Sequence, residues 1–153
     1  MVSLKLPPDY EDLLREFVEG GVEFLLIGGW AVAVHGHPRA TDDMDILVRP
    51  SAGNAARVFA ALDRFGAPLR SHGVTDQTFA QEQYGYRIGR KPMLIEVLTA
   101  IDGVSFDAAA QSPVLVTVAD FEVPTIGRDA LLLNKRASGR AKDLADIEAL
   151  EGQ

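Results

Sequence analysis

Thr41-Asp42-Asp43-Met44-Asp45-Ile46-Leu47-Val48 alternates acidic and apolar residues and then turns wholly apolar. Read as a strand, it places side chains at i and i+2 on one face. Asp43 and Asp45 then project together, Met44 and Ile46 project the other way, and Asp42 falls outside the pair. Two carboxylates about 6–7 Å apart at Cα repel each other unless something positive lies between them. A hard cation, Mg²⁺ or Mn²⁺ in its place, answers that need, because it prefers carboxylate oxygens and keeps waters for a phosphate ligand. A bare D-x-D is a short pattern, and a solvated strand start accounts for most examples. Here the pair leads into a Leu47-Val48 core strand and follows the Gly28-Gly29 turn. A third acid, Glu96, lies inside the apolar run Met93 to Leu98. An unpartnered carboxylate in such a run is costly. Either Glu96 joins Asp43 and Asp45 in a carboxylate triad, or it pairs with Arg87 or Arg90 across a hairpin.

Working outward, Pro7-Pro8-Asp9 reads as a helix start with Asp9 as the cap, and Leu13, Leu14, Phe17 and Val18 recur at helical spacing. Gly20-Gly21 ends that helix. Residues 22–27 form a buried strand, and Trp30 to His35 a short helix closed by Gly36 and Pro38. Met44 to Val48 is the second strand. Ser51 caps a helix whose apolar face is Val58, Phe59, Leu62 and Phe65. Residues 79–88 and 92–98 read as two antiparallel strands joined at Gly89-Arg90-Lys91. Residues 114–118 and 121–126 are further strands. Closing helices follow at about 129–150, broken at Gly139. The layout is α+β: a mixed β-sheet flanked by helices, read as one domain over residues 1–153. It lacks the regular β-α-β alternation of a dinucleotide-binding domain, and the glycines fit neither G-x-G-x-x-G nor a Walker A loop.

With 153 residues, 47% of them apolar and 24% charged, the chain suits one soluble core. It has no cysteine, which excludes disulfides and thiolate metal sites. No apolar run approaches the roughly 20 residues needed to cross a bilayer. Met1 to Tyr10 lacks a basic start followed by an apolar stretch, so the expectation is a cytoplasmic protein with no membrane partner. A formal net charge of −7 counts against broad nucleic-acid binding.

The residues Gly28-Gly29-Trp30-Ala31, then Gly36, Pro38-Arg39-Ala40-Thr41 and Asp43-Met44-Asp45, resemble the signature of the nucleotidyltransferase superfamily of the DNA-polymerase-β type. Within it, the chain is most similar to small bacterial proteins that include the abortive-infection type toxin nucleotidyltransferases. Asp129-Ala130-Leu131-Leu132-Leu133-Asn134-Lys135, followed by Arg140-Ala141-Lys142-Asp143-Leu144-Ala145-Asp146, resembles that group's later lysine and D-x-x-D motifs. The similarity spans about residues 10 to 150. It implies transfer of a nucleoside monophosphate from an NTP to an acceptor hydroxyl on RNA, protein or a small molecule. It also admits a toxin-antitoxin role with a cognate antitoxin as partner. Asp43, Asp45 and Glu96 would hold metals, with Glu96 able to take the acceptor proton. Gly28, Gly29, Trp30, Arg39, Thr41 and Lys135 would contact the nucleotide, the glycines by close backbone approach, the Trp30 helix by its N–H groups, and Lys135 by its charge on the triphosphate. Three departures stand out. Glu96 replaces the commoner Asp, Gly29 stands where many members carry serine, and Trp30 fills a position often small or polar. A nucleotide-binding relative that does not catalyse is therefore the alternative, and an aminoglycoside-modifying enzyme a third possibility.

Other residues admit blander accounts. Lys135 can snorkel over Leu131 and Leu132. Asp143 and Asp146 can form a solvated helix face opposite Leu144, Ile147 and Leu150, or Asp143 can orient Lys135 or Arg39. Arg39 can meet phosphate or a carboxylate. Thr41 can brace the turn before Asp43. His35 and His37 flank Gly36 without a third ligand at zinc spacing. Tyr84, Tyr86, Arg87 and Arg90 read as a hairpin surface with cross-strand pairs.

Overall fold

The computed structural model describes residues 2–152. The chain runs β1 (Ser3–Leu4), α1 (Pro8–Glu19), β2 (Phe24–Ile27), α2 (Gly28–Val34), β3 (Asp43–Val48) and α3 (Ala52–Phe65). A single helical turn at Thr78–Ala80 follows, then β4 (Gly85–Ile88), β5 (Leu94–Leu98), α4 (Phe106–Ala109), β6 (Val114–Val118), β7 (Phe121–Thr125), α5 (Arg128–Ser138) and α6 (Ala141–Glu151). The strands form one sheet in the order β1-β6-β7-β2-β3-β5-β4. β2 runs antiparallel to β3, while β3 and β5 run parallel. This is the α+β architecture expected, a mixed sheet with helices on both faces. Among the described residues, no helix is long and apolar enough to cross a membrane.

The two faces explain why the central strands read as continuous apolar runs. Phe24, Leu26, Met44, Ile46, Ile95 and Val97 belong to one core, sealed by Leu13, Leu14 and Phe17 of α1 and Val58 and Leu62 of α3. Leu25, Ile27 and Leu47 belong to the other, under Val32 of α2, Leu131 and Leu132 of α5, and Leu150 of α6. Each large side chain so buried contributes about 1.5–3 kcal/mol. Wholly buried Asn54 locks α3 to the sheet. Its amide oxygen accepts from Glu23 N at 2.7 Å, and its nitrogen donates to the Glu23 and Arg49 carbonyls at 3.0 Å each.

Several local expectations shift. Pro7, not Asp9, stands at the cap of α1 and offers no side-chain bond. Asp9 lies inside the first turn, where its charge complements the helix dipole. Ser51 does cap α3, accepting from Asn54 N. The helix after β2 starts at Gly28 rather than Trp30. The expected strand over residues 79–88 is cut to Gly85–Ile88. Buried Phe79 instead sits in the short helical turn, edge-on to Tyr84 and Tyr86.

For α5 and α6 the structure decides between the two alternatives, in favour of Asp143 pairing with Lys135. Asp143 and Asp146 are not a solvated face: both are buried, and Leu144 is the exposed residue. Lys135 does not snorkel to water either. It is buried between them, Nζ lying 3.1 Å from Asp143 and 3.0 Å from Asp146. Arg39 grips Asp146 through Nε at 2.8 Å and Nη2 at 3.0 Å, and Arg140 Nε reaches Asp143 at 2.7 Å. Helical spacing put Asp143 and Asp146 on one face, but buried cations, which spacing cannot reveal, decide that this face turns inward. Burial alone pushes both carboxyls up, yet hydrogen bonds from Arg140 and Lys135 to Asp143, and from Arg39 and Lys135 to Asp146, leave them below the usual range.

Removing Lys135 leaves Asp146 its pair with Arg39 and Asp143 its pair with Arg140, but takes from each buried carboxylate one charged hydrogen-bond donor. Lys135→Met is therefore expected to lower stability by about 2 kcal/mol, measured as a drop in the urea unfolding midpoint at unchanged slope. An unchanged midpoint would contradict this account of the network.

Candidate functional site

The parallel register of β3 and β5 sets Asp45 directly beside Glu96. Asp43, two residues earlier on β3, shares their face. One carboxylate oxygen from each of the three lies within 4.8 Å of the others. This face is apolar farther along, where α5 and α6 cover Leu47, and acidic only at the end they leave open. Asp45 is held hardest: its Oδ1 is buried with no hydrogen-bond partner. Burial, then the charges of Asp43 and Glu96, push its carboxyl up to about 7, with Lys142 and Lys135 pulling the other way. An orphaned buried carboxylate oxygen inside a set of oxygen donors fits a hard divalent cation.

The preceding turn is shaped around this cluster. Gly28 has φ +69°, and a Cβ there would fall 2.5 Å from Asp45 Oδ2, so the left-handed backbone and the carboxylate both demand glycine. A Cβ on Gly29 would meet Thr41 Oγ1 at 2.8 Å. The Thr41 hydroxyl donates to the Asp43 carbonyl and carboxylate, each at 3.2 Å, and so braces the turn. Under the cluster, the Tyr10 hydroxyl donates to the Leu94 carbonyl at 3.0 Å. Burial first, then Asp43, Asp45 and Asp42, push it up to about 12, so it stays a neutral donor.

Above the carboxylates opens a cleft of about 560 Å³. Gly28, Gly29, Arg39 and Thr41 line it from the sequence-expected set, together with Asp43, Asp45 and Lys135. Glu96 both belongs to the carboxylate cluster and pairs with Arg87, whose Nε lies 3.3 Å away, so the two alternatives for it coexist. Arg87 is 72% exposed there and Glu96 18%. Trp30 lies outside the cleft lining; its ring stands edge-on to Tyr10 at 6.3 Å, and its indole N–H is buried without a partner. Arg39 meets a carboxylate, Asp146, at the cleft wall. His35 Nε2 lies 2.7 Å from the Ile126 carbonyl, and among the described residues neither it nor His37 joins a metal-ligand cluster. Tyr86 turns inward, sharing a 2.7 Å hydrogen bond with His72 Nδ1.

Sequence reasoning missed Lys91, Arg140 and Lys142 as cleft residues, and with them Asp102, Asn134 and Ser138. Asn134 donates to the Asp102 carbonyl at 2.9 Å, and Ser138 to its carboxylate at 3.1 Å. Lys142 adjoins Asp143, and that adjacency was the available signal. Lys91, in a hairpin turn, carried none.

No protein-family model and no curated protein matches the chain by sequence. Solved structures do match by shape. The lincosamide antibiotic adenylyltransferase LnuA, with lincomycin bound, superposes at TM-score 0.57 and 16% identity, covering 95% of this chain and 96% of that one. A Thermotoga maritima protein provisionally assigned as a nucleotidyltransferase superposes at TM-score 0.55 and 15% identity, covering 99% and 94%. At such identities the likeness is one of fold, and the chain has the nucleotidyltransferase-type fold.

The raised Asp45 carboxyl gives a signed expectation. Unfolded, the group ionises near 3.8; folded, it keeps its proton to about 7. Between these values the folded state binds more protons, so this group's contribution to stability is lost as pH rises through the window. In EDTA, the melting temperature of the wild type relative to Asp45→Asn should fall between about pH 5 and pH 8. Added Mg²⁺ should raise the wild-type melting temperature more at pH 8 than at pH 5. A wild-type minus variant difference that is flat across this range would refute the assignment.

Proposed function

We propose that the chain is a Mg²⁺-dependent nucleotidyltransferase that moves a nucleoside monophosphate from an NTP to a hydroxyl of a small acceptor molecule. The observation carrying this reading is the convergence of Asp43, Asp45 and Glu96 within 4.8 Å, with one buried oxygen of Asp45 left without a partner. These three residues would hold the metal, Mg²⁺ or Mn²⁺. Bound there, it supplies positive charge against the phosphoryl oxygens. Gly28, Gly29 and Thr41 lie beside Asp43 and Asp45, on the wall where backbone can approach a triphosphate most closely. Glu96 lies on β5, next to the edge strand β4, and would face the acceptor.

In the reaction, the acceptor oxygen forms a bond to the α-phosphorus, the bond to the bridging oxygen breaks, and pyrophosphate leaves. The acceptor proton passes to the Glu96 carboxylate. The Arg87 pair with Glu96 does not block this, because Arg87 is largely exposed and a pair with so solvated a cation contributes little. A small acceptor is favoured over a large RNA by the cleft volume of about 560 Å³ and by the net charge of −7. LnuA, a lincosamide antibiotic adenylyltransferase of the same fold, holds a small molecule, lincomycin.

One observation favours a second reading, a relative that binds nucleotide without transferring it. Arg87 contacts Glu96 at 3.3 Å and competes for its carboxylate, and a toxin-antitoxin or sensing role would need only binding. Incubation of the protein with each labelled NTP, Mg²⁺ and a panel of hydroxylated small molecules separates the two. Transfer should require the metal, and Asp43→Asn and Asp45→Asn should each lower the rate about 10³-fold or more, equivalent to about 4 kcal/mol. NTP binding with no transferred label would favour the second reading, and no binding of any NTP by the folded protein would sink both. Growth arrest on expression that disappears with Asp45→Asn would support a catalytic toxin.

A further inference from the structure

Five cationic side chains line the cleft: Arg39, Lys91, Lys135, Arg140 and Lys142. Their charges are not equally available. Three of them share the buried carboxylates of Asp143 and Asp146. Lys135 contacts both, at 3.1 and 3.0 Å. Arg39 spends Nε and Nη2 on Asp146 and Nη1 on the Ala40 carbonyl. Arg140 directs Nε and Nη2 at Asp143. This trio with its two carboxylates carries only a single net positive charge. Turning one of its members toward a ligand would also break a buried pair.

Lys91 and Lys142 differ. Both are exposed, and among the described residues neither has a carboxylate within ion-pair distance. They also reach the cleft from different elements. Lys91 lies on the turn between β4 and β5, three residues before Leu94, whose N–H bonds the Asp42 carbonyl. Lys142 lies in the first turn of α6. A lysine is a mobile point charge on a flexible stem, suited to following phosphate oxygens, whereas an anchored guanidinium is not free to do so. We infer that Lys91 and Lys142 are the cations that bind the triphosphate, and that Lys135, Arg39 and Arg140 instead build the wall that presents Lys142. This rests on the nucleotide-binding reading above and reassigns the triphosphate contact expected of Lys135.

Tripolyphosphate with Mg²⁺ is the probe, because it carries the phosphate chain and no base. Calorimetric titration of the full chain should give binding for the wild type. Lys91→Gln and Lys142→Gln should each weaken it about tenfold, with a shallower dependence on added salt and an unchanged melting temperature. Lys5→Gln, outside the cleft, should bind as the wild type. Wild-type affinity in both Lys91→Gln and Lys142→Gln would overturn the inference and leave the nucleotidyltransferase reading standing. Retained affinity in one alone would remove that lysine from the assignment. A wild type that binds neither tripolyphosphate nor any Mg²⁺–NTP would overturn both.

Discussion

Three carboxylates crowd the open end of one sheet face, and among the described residues no side-chain cation is buried between them to settle the repulsion. Of the three, Arg87 pairs with Glu96 among the described residues, from the edge strand β4. The consequence is legible in Asp45, whose Oδ1 lacks a partner and whose proton is held to about 7. The surroundings accommodate this pressure. Gly28 takes a left-handed conformation with no Cβ so that Asp45 can lie over it, and Thr41 braces Asp43. Elsewhere the fold follows the ordinary logic of burying apolar side chains; here it crowds carboxylates whose repulsion a retained proton or a cation would relieve.

The opposite arrangement holds a few residues away. Asp143 and Asp146 are more deeply buried than Asp45, yet Arg140, Lys135 and Arg39 keep them ionised. One molecule thus contains two buried acidic groups with opposite fates: satisfied carboxylates that fasten α5, α6 and the segment before β3 together, and an unsatisfied cluster facing the cleft. A satisfied network rigidifies its surroundings, and rigidity is what a neighbouring site needs if its groups are to be held in place.

Asp43 and Asp45 were readable as a pair because a strand places i and i+2 on one face, and Glu96 was readable as anomalous because an acid interrupts an apolar run. Their meeting could be named as one alternative but not decided, since it depends on β3 and β5 being parallel neighbours in the register Asp45 to Glu96. For Asp143 and Asp146 the choice between a solvated face and a pairing with Lys135 was left open for the same class of reason. Their spacing fixed a common helix face, but whether that face meets water or Lys135 depends on how α5 packs against α6. Residues 79–84 had the apolar and aromatic content of a strand, and lost that fate because Phe79 found a buried place in the core instead.

By itself, the sequence determined the apolar strands, most helix boundaries, the alternation that aims Asp43 and Asp45 the same way, and the glycines that let the chain turn ahead of them. These are properties of neighbours along the chain, governed by periodicity, propensity and local sterics. The third carboxylate's place beside the pair, the inward turn of Asp143 and Asp146, and the difference between Lys135, neutralised by two buried acids, and Lys91 and Lys142, left facing the cleft, were decided only by the tertiary structure. Electrostatic partners are chosen by distance in space and by exclusion of water, and neither is written in the order of the residues.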